Sequence, residues 1–348
     1  MRRQHVLLAA FMALRDWLGT LLHHRLAWAL GGVAVIGLGI DSSRVYALLG
    51  QFLAAWLLGR AWQILAHGSG LFSFAHAIPL ACGAFAMVWS MRGLAHASPL
   101  WLTALPIGAA IAGGCAGVLV GALAARVSGT VFAMITFGLG ELGYLSAQAM
   151  PTLFGGEAGL GADRALAAAH DMHLASFASA GPLHLLLTAW TAFALWCLHR
   201  IEESDFGATM RLVRDNPVRA QMLGLHALRV RFQAIVLSFA ASGIAGALLA
   251  LQYELASPEL FAPSQSVEVV MTVLLAGVAV PAGPAIGAGI QVAITHVLAI
   301  HWLWWQMAYG ALFIVVMLVR PGGICTVWPR RSLAARKPLK YTSQKVQR

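Results

Sequence analysis

The sequence predicts an all-α integral membrane protein, a polytopic bundle of about ten transmembrane helices that includes a broken or re-entrant pair. Three observations predict it. Of 348 residues, 59% are hydrophobic and 10% charged, with a mean hydropathy of +0.76; a soluble chain carries roughly a quarter charged residues. Apolar stretches near the span length of about 20 residues recur along the chain. When these stretches alternate across a bilayer, nearly all basic residues fall on one side.

The N-terminus sets Arg2 and Arg3 before the apolar run 6–14, as a signal peptide would. Arg15, Asp16 and Trp17 then stand where a small-residue cleavage site belongs. Residues 1–25 therefore form an N-terminal interfacial helix. Candidate spans follow at 26–40, 45–66, 71–91, 100–125, 131–150, 182–199, 232–251, 267–280, 284–300 and 302–319. Residues 26–325 thus make a membrane domain and residues 326–348 a basic tail. Pro281-Ala282-Gly283-Pro284 separates the eighth and ninth segments and cannot continue a helix. These two read as half-helices or a re-entrant pair, since broken backbone is tolerated at membrane depth where protein surrounds it. With the N-terminus inside, 20 of the 23 Arg and Lys residues lie on the inner side and only Arg44, Arg92 and Arg164 on the outer. Both termini are then cytoplasmic, and the tail is a solvated arm near anionic headgroups.

Several chemistries are missing. The net charge of +10 has no basic stripe with interleaved aromatics, so nucleic acid is not expected as a partner. Cys82, Cys115, Cys197 and Cys325 are scattered singly, which supports neither zinc nor disulfides. No GxxxxGK[ST], HExxH, GxSxG or EF-hand pattern occurs, and the 13 histidines show no metal-binding spacing. The expectation is no enzyme, no bound cofactor and no metal.

The inner loop 200–231 is the most charged stretch outside the tail. Ser204 or Asp205 can cap a short helix whose apolar edge is Met210 and Val213. Asp215 or Asn216 caps a second, with Pro217 at its first position and Gly224 ending it. Val218, Met222 and Leu223 line one side, with Arg211, Arg214 and Arg219 exposed nearby. Two short amphipathic helices make a knob suited to a partner's groove, against the plainer reading of an ordinary positive-inside loop.

Phe206 through Gly224, continued by Arg231-Phe232-Gln233-Ala234-Ile235-Val236-Leu237-Ser238-Phe239-Ala240-Ala241-Ser242-Gly243, resembles the permeases of branched-chain amino acid ABC importers of the LivM type. Further matches fall in order. Gly70-Leu71-Phe72-Ser73-Phe74-Ala75-His76 resembles that family's G-x-x-S-F-G-H, Gly129 through Thr136 its G-x-Y-F-A-M-x-T, and Gly155-Gly156-Glu157-Ala158-Gly159-Leu160 its T-G-G-x-x-G-L. Ser257-Pro258, Phe261, Ser264 and Gly283-Pro284 also sit at family positions. The resemblance covers roughly 45–325. Phe154 in place of Thr, Ala75 in place of Gly and Val131-Phe132 in place of Tyr-Phe are departures that bear on the solute more than on the fold.

The resemblance implies a multi-pass permease of the bacterial inner membrane. It would pair with a second homologous permease, two cytoplasmic ABC ATPases that bind the ATP, and a periplasmic solute-binding protein. It turns residues 204–226 into the coupling element, with Phe206, Gly207, Arg211, Arg214, Asp215, Asn216, Arg219, Ala220, Leu223 and Gly224 as its candidate residues. The implied solute is a branched-chain or other hydrophobic amino acid; urea, amides or small aromatic acids are the alternative within the family. Candidate path residues are Ser73, His76, Thr136, Glu141, Gly155, Gly156 and Gly159. Ser73 and His76 would share one helical face at the inner mouth, or serve as a cap and a packed histidine. Glu141, mid-span, lines the path, contacts Arg60, or is a neutral acid bonded to a neighbouring helix. The three glycines either make turns or let backbone N–H groups approach a carboxylate. Glu268, near the outer end of its segment, is expected to be solvated. The small-residue run Gly113-Gly114, Gly117, Gly121 suits close helix packing. A different class of reading is an ATP-independent transporter or channel using Glu141 and the Pro281–Pro284 break.

Overall fold

The computed structural model describes residues 43–93, 100–162, 180–301 and 304–327. The expected interfacial helix over 1–25, the first span 26–40 and the tail from 328 lie outside the described residues. Eleven helices matter here. They are α1 (Ser43–Gln63), α2 (Ala77–Gly93), α3 (Leu100–Ala124), α4 (Thr130–Ala149) and α5 (Ala180–Glu203). Then come α6 (Asp205–Asp215), α7 (Pro217–Met222), α8 (Ala227–Tyr253), α9 (Pro263–Ala276), α10 (Gly283–His301) and α11 (Trp305–Val319). Within them Leu102–Ala124, Thr130–Ala149, Ala180–Glu203 and Ala227–Tyr253 are long and apolar enough to cross a membrane. The fold is all-α and polytopic. A two-residue ribbon, β1 (Leu160–Gly161) against β2 (Leu255–Ala256), pairs antiparallel with Leu160 opposite Ala256.

At 27 residues, about 40 Å at 1.5 Å per residue, α8 outruns the bilayer core. It is the central post of the bundle and is buried along most of its length. Its neighbours come backbone to backbone. A Cβ on Gly246 would lie 1.8 Å from the Leu80 carbonyl oxygen of α2, and one on Gly113 of α3 would lie 2.5 Å from the Phe239 carbonyl oxygen. A Cβ on Gly117 would lie 2.9 Å from the Val236 Cα and one on Gly121 3.0 Å from the Phe232 ring, whereas a Cβ on Gly114 would touch only the Ala240 methyl at 3.7 Å. Lipid offers no hydrophobic drive for helix association, so close van der Waals contact between small residues supplies it.

One departure from the predicted spans is local. The third span does not start as a helix: α1 runs on through one π turn, Ile64–Gly68, and residues 70–76 are non-helical before α2 begins at Ala77. Ser73 and His76 therefore share no helical face. The broken pair is present as α9 and α10, parted by residues 277–282. With 14 residues, about 21 Å, α9 is too short to cross a core of about 30 Å. Gln63 Nε2 donates to the carbonyls of Val278 at 2.7 Å and Val280 at 2.8 Å, which puts the break beside the C-terminal end of α1.

Candidate functional site

The inner loop folds as its local chemistry dictates. Ser204 takes extended backbone ahead of α6 and Asp205 complements the positive helix end, but the Ser204 hydroxyl donates to the Ile201 carbonyl (2.6 Å) and does not cap. Asn216 does cap α7: its Oδ1 accepts the Arg219 N–H at 2.9 Å, with Pro217 at the first helical position. Gly224 follows with φ 81° and ends the helix. Phe206, Met210 and Val213, spaced along one face, press onto the bundle; Met210, Val213 and Ala220 are buried among Leu65, Leu71 and Phe239. A Cβ on Gly207 would sit 2.1 Å from the Glu202 carbonyl oxygen, so this position takes the sharp return of the chain from α5 to α6.

Polar links fasten the knob. Arg60, buried near the end of α1, pairs with Glu202 at the end of α5 and also bonds Gln63. Arg211 Nη1 donates to the Glu202 carbonyl at 2.9 Å. Arg214 donates to the His67 carbonyl and to Asp215 at 2.9 Å. Arg211 and Arg214 are thus half-buried tethers, not the exposed charges expected of them; the carbonyls of Glu202 and His67 draw their guanidinium groups inward. Burial, and next the Arg214 charge, hold the His67 imidazole below its ordinary pKa. Arg219 stays exposed. The outer surface of the knob is apolar: Val218, Met222 and Leu223 are 60%, 83% and 66% exposed.

The candidate path residues separate. Ser73, His76 and Thr136 are fully buried and line no open surface of this chain. Thr136 Oγ1 accepts the Phe74 N–H at 3.1 Å, His76 Nε2 lies 2.9 Å from Ser238 Oγ, and the Ser73 carbonyl accepts Trp62 Nε1 at 2.8 Å. Ser266 Oγ accepts the Ala77 N–H at 2.8 Å. Residues 70–77 are therefore a packed hub joining α1, α4, α8 and α9, because backbone without helical partners must bond elsewhere. Glu141 is exposed on α4 and does not meet Arg60, whose partners are Gln63 and Glu202. It shares an exposed face with Met134, Leu145 and Gln148. Gln148 leads to a recess of about 540 Å³ bordered by Tyr144, Gly156, Glu157 and Glu259. Gly155, Gly156 and Gly159 have φ of 76°, 64° and 72°, and a Cβ on Gly159 would lie 2.5 Å from the Ala256 carbonyl oxygen. Turn-making accounts for all three.

The sequence pattern of the family described as "branched-chain amino acid transport system / permease component" matches residues 44–319. The chain belongs to this permease family. It is also similar to the high-affinity branched-chain amino acid transport system permease protein LivM of Escherichia coli, at 25% identity over 289 residues, covering 77% of this chain and 67% of the relative. LivM of Salmonella typhimurium matches at 25% over 293 residues, with the same shares. No solved structure matches. As a transport permease, the chain is a multi-pass membrane protein of a non-enzyme family. The family motifs meet one another in the permease: Phe74, Thr136 and Ser238 come from three separate matches and join at the hub.

Sequence reasoning missed two groups. Arg60 and Gln63 carry the link between knob and break, and a single Arg and a single Gln inside an apolar segment gave only the hint that such groups need partners. Glu268 is half-buried and not freely solvated: Gln291 Nε2 donates to its Oε1 at 2.7 Å.

Proposed function

We propose that this permease is one half of the transmembrane pathway of an ATP-driven ABC importer for branched-chain or other hydrophobic amino acids. It works in a bacterial inner membrane, with both termini cytoplasmic. Its partners are a second homologous permease, two cytoplasmic ATPases and a periplasmic solute-binding protein. The observation that carries the reading is the α6–α7 knob, which anchors on the bundle by one face and turns Val218, Met222 and Leu223 outward. An exposed apolar cluster rimmed by charge marks a protein contact, and the ATPase is the partner that the family supplies on this side. The exposed face of α4 supports the second half of the reading. A carboxylate such as Glu141 cannot face lipid cheaply, so this face meets the second permease and the solute between them.

Leu223→Glu with Met222→Glu tests the coupling. Each buried side chain is worth about 1.5–3 kcal/mol at a partner, so association with the ATPases should weaken at least about tenfold per position. The variant should still insert, because neither side chain packs on the bundle, and ATP-driven uptake should be lost with it. Arg214 is a poor probe, since its removal also strips a donor from the His67 carbonyl. Uptake by the reconstituted chain alone, under a proton gradient and without ATPase, would refute the proposal.

A further inference from the structure

A cavity of about 260 Å³ lies between α1, α9, α10 and α11, with Leu80 of α2 and Leu249 of α8 closing it, and no residue of α4 lines it. Its volume is several times the share of one water, about 30 Å³. Its walls differ in chemistry: Ala54, Ala55 and Leu249 make one side mostly apolar, with Gln51 at its edge, and Glu268, Thr272 and Gln291 make the other mostly polar, with Val269 among them. The polar half is connected. Gln291 Nε2 donates to Glu268 Oε1 at 2.7 Å, and Thr272 Oγ1 donates to the Glu268 carbonyl at 2.7 Å while lying 2.9 Å from the Tyr309 hydroxyl. Of these contacts only the Gln291 bond meets the carboxylate, and it engages one of the two oxygens at the cavity wall. Among the described residues Arg60 and Arg214 pair with other acids, and no cation pairs with Glu268. A carboxylate withdrawn from bulk water without a counter-charge is costly, and here the missing charge faces a space large enough for an organic group.

We propose that this cavity binds a short aliphatic solute through its primary ammonium group, which donates to Glu268 while the carbon chain lies on Ala54, Ala55 and Leu249. A primary ammonium has three N–H donors and no acceptor, the complement of a carboxylate flanked by amide and hydroxyl oxygens. The apolar half selects against a bare inorganic cation, which would leave that wall without a contact. The ammonium can belong to a simple amine or to an amino acid. The site is separate from the exposed face of α4, and its test does not depend on the transport reading.

The test is equilibrium binding of radiolabelled n-butylammonium to the full chain in lipid nanodiscs, without partner subunits. Saturable binding is expected. It should weaken at least about tenfold in Glu268→Gln, by loss of a charge-assisted hydrogen bond, and return largely in Glu268→Asp. Ala55→Phe fills the apolar half, keeps the charge, and should also block binding. Displacement by leucine supports the proposal and identifies an amino acid as the source of the ammonium; failure of leucine to compete supports it with a simple amine as the source. The proposal is overturned if 1-butanol competes as well as the amine, or if sodium does. It is overturned equally by binding that survives Glu268→Gln. Should that variant aggregate, undiminished binding in Ala55→Phe overturns it alone.

Discussion

Arg60 and Glu202 should show an asymmetric energetic coupling. The Arg60 side chain is 7% exposed and that of Glu202 22%. Removing one partner of a dry ion pair costs about 3–5 kcal/mol, because the other charge stays buried. Glu202→Gln leaves Arg60 with Gln63 as an acceptor and some water near the former carboxylate, which brings the cost to about 2–3 kcal/mol. Arg60→Met leaves Glu202 nearer the aqueous side, where it can turn outward, and should cost about 1–2 kcal/mol. The double variant should cost less than the two singles combined, by about 1–2 kcal/mol, since the second change strands no new charge. Reversible unfolding of all four proteins in one detergent measures the cycle. A coupling below about 0.5 kcal/mol, or Arg60→Met as the costlier single change, would show that this pair does not fasten the knob.

Gly246→Ala forces a methyl to 1.8 Å from the Leu80 carbonyl oxygen, so α2 and α8 must part. An overpacking cost of about 1–3 kcal/mol should outweigh the helix-propensity gain of about 1 kcal/mol. Gly114→Ala, with only the Ala240 methyl at 3.7 Å, should keep the gain; equal thermal stability of the two variants would contradict this account of the packing. His67 should make stability fall in acid. Burial, then Arg214, and less strongly Arg60 and Arg211 lower its folded pKa, while Glu202 opposes them. The unfolded chain then binds more protons below its ordinary value of about 6.5, so stability is full above that pH and is lost as pH falls toward the folded value. Unfolding midpoints measured from about pH 8 to about pH 5 should diverge between the native chain and His67→Gln; parallel curves would contradict the shift.

The knob was legible in the sequence because its signals are local. Asn216, Pro217 and Gly224 lie within nine residues of one another, and each acts on its own backbone or the next turn. The apolar spans were legible for a similar reason, since length and composition need no partner. Residues 70–76 were not. Leu71, Phe72, Phe74 and Ala75 are as apolar as any span, and apolarity reports burial without saying that the backbone is helical. Partners outside the stretch take its polar groups in place of helical neighbours: Trp62 bonds the Ser73 carbonyl and Thr136 the Phe74 N–H, while Ser266 takes the Ala77 N–H where α2 begins. The same distance misled the reading of Ser73 and His76. Polar side chains in an apolar run look like path residues until Ser238, 162 positions from His76, is seen to meet it. Glu268 looked solvated because Gln291 reaches it only once α9 and α10 fold back on each other.

On the proposed coupling, these links also decide where a push on the knob would go. Apolar surfaces such as those around Met210 and Val213 can slide with little loss, because their attraction has no direction. Charge-assisted hydrogen bonds cannot, since they weaken steeply with angle and distance. The knob is held at two such points: Arg211 to the Glu202 carbonyl and Arg214 to the His67 carbonyl. Both lead to the C-terminal end of α1 and its π turn, Arg214 directly and Arg211 by way of Glu202, whose carboxylate pairs with Arg60. From there Gln63 reaches the carbonyls of Val278 and Val280, where α9 stops short of crossing the bilayer. A displacement of α6 and α7 is therefore delivered first to the break between α9 and α10, and it reaches α4 with Glu141 through the hub at Phe74 and Thr136 and through the packing of α4 on α9. Gln63→Leu should cut the first route while leaving the knob docked.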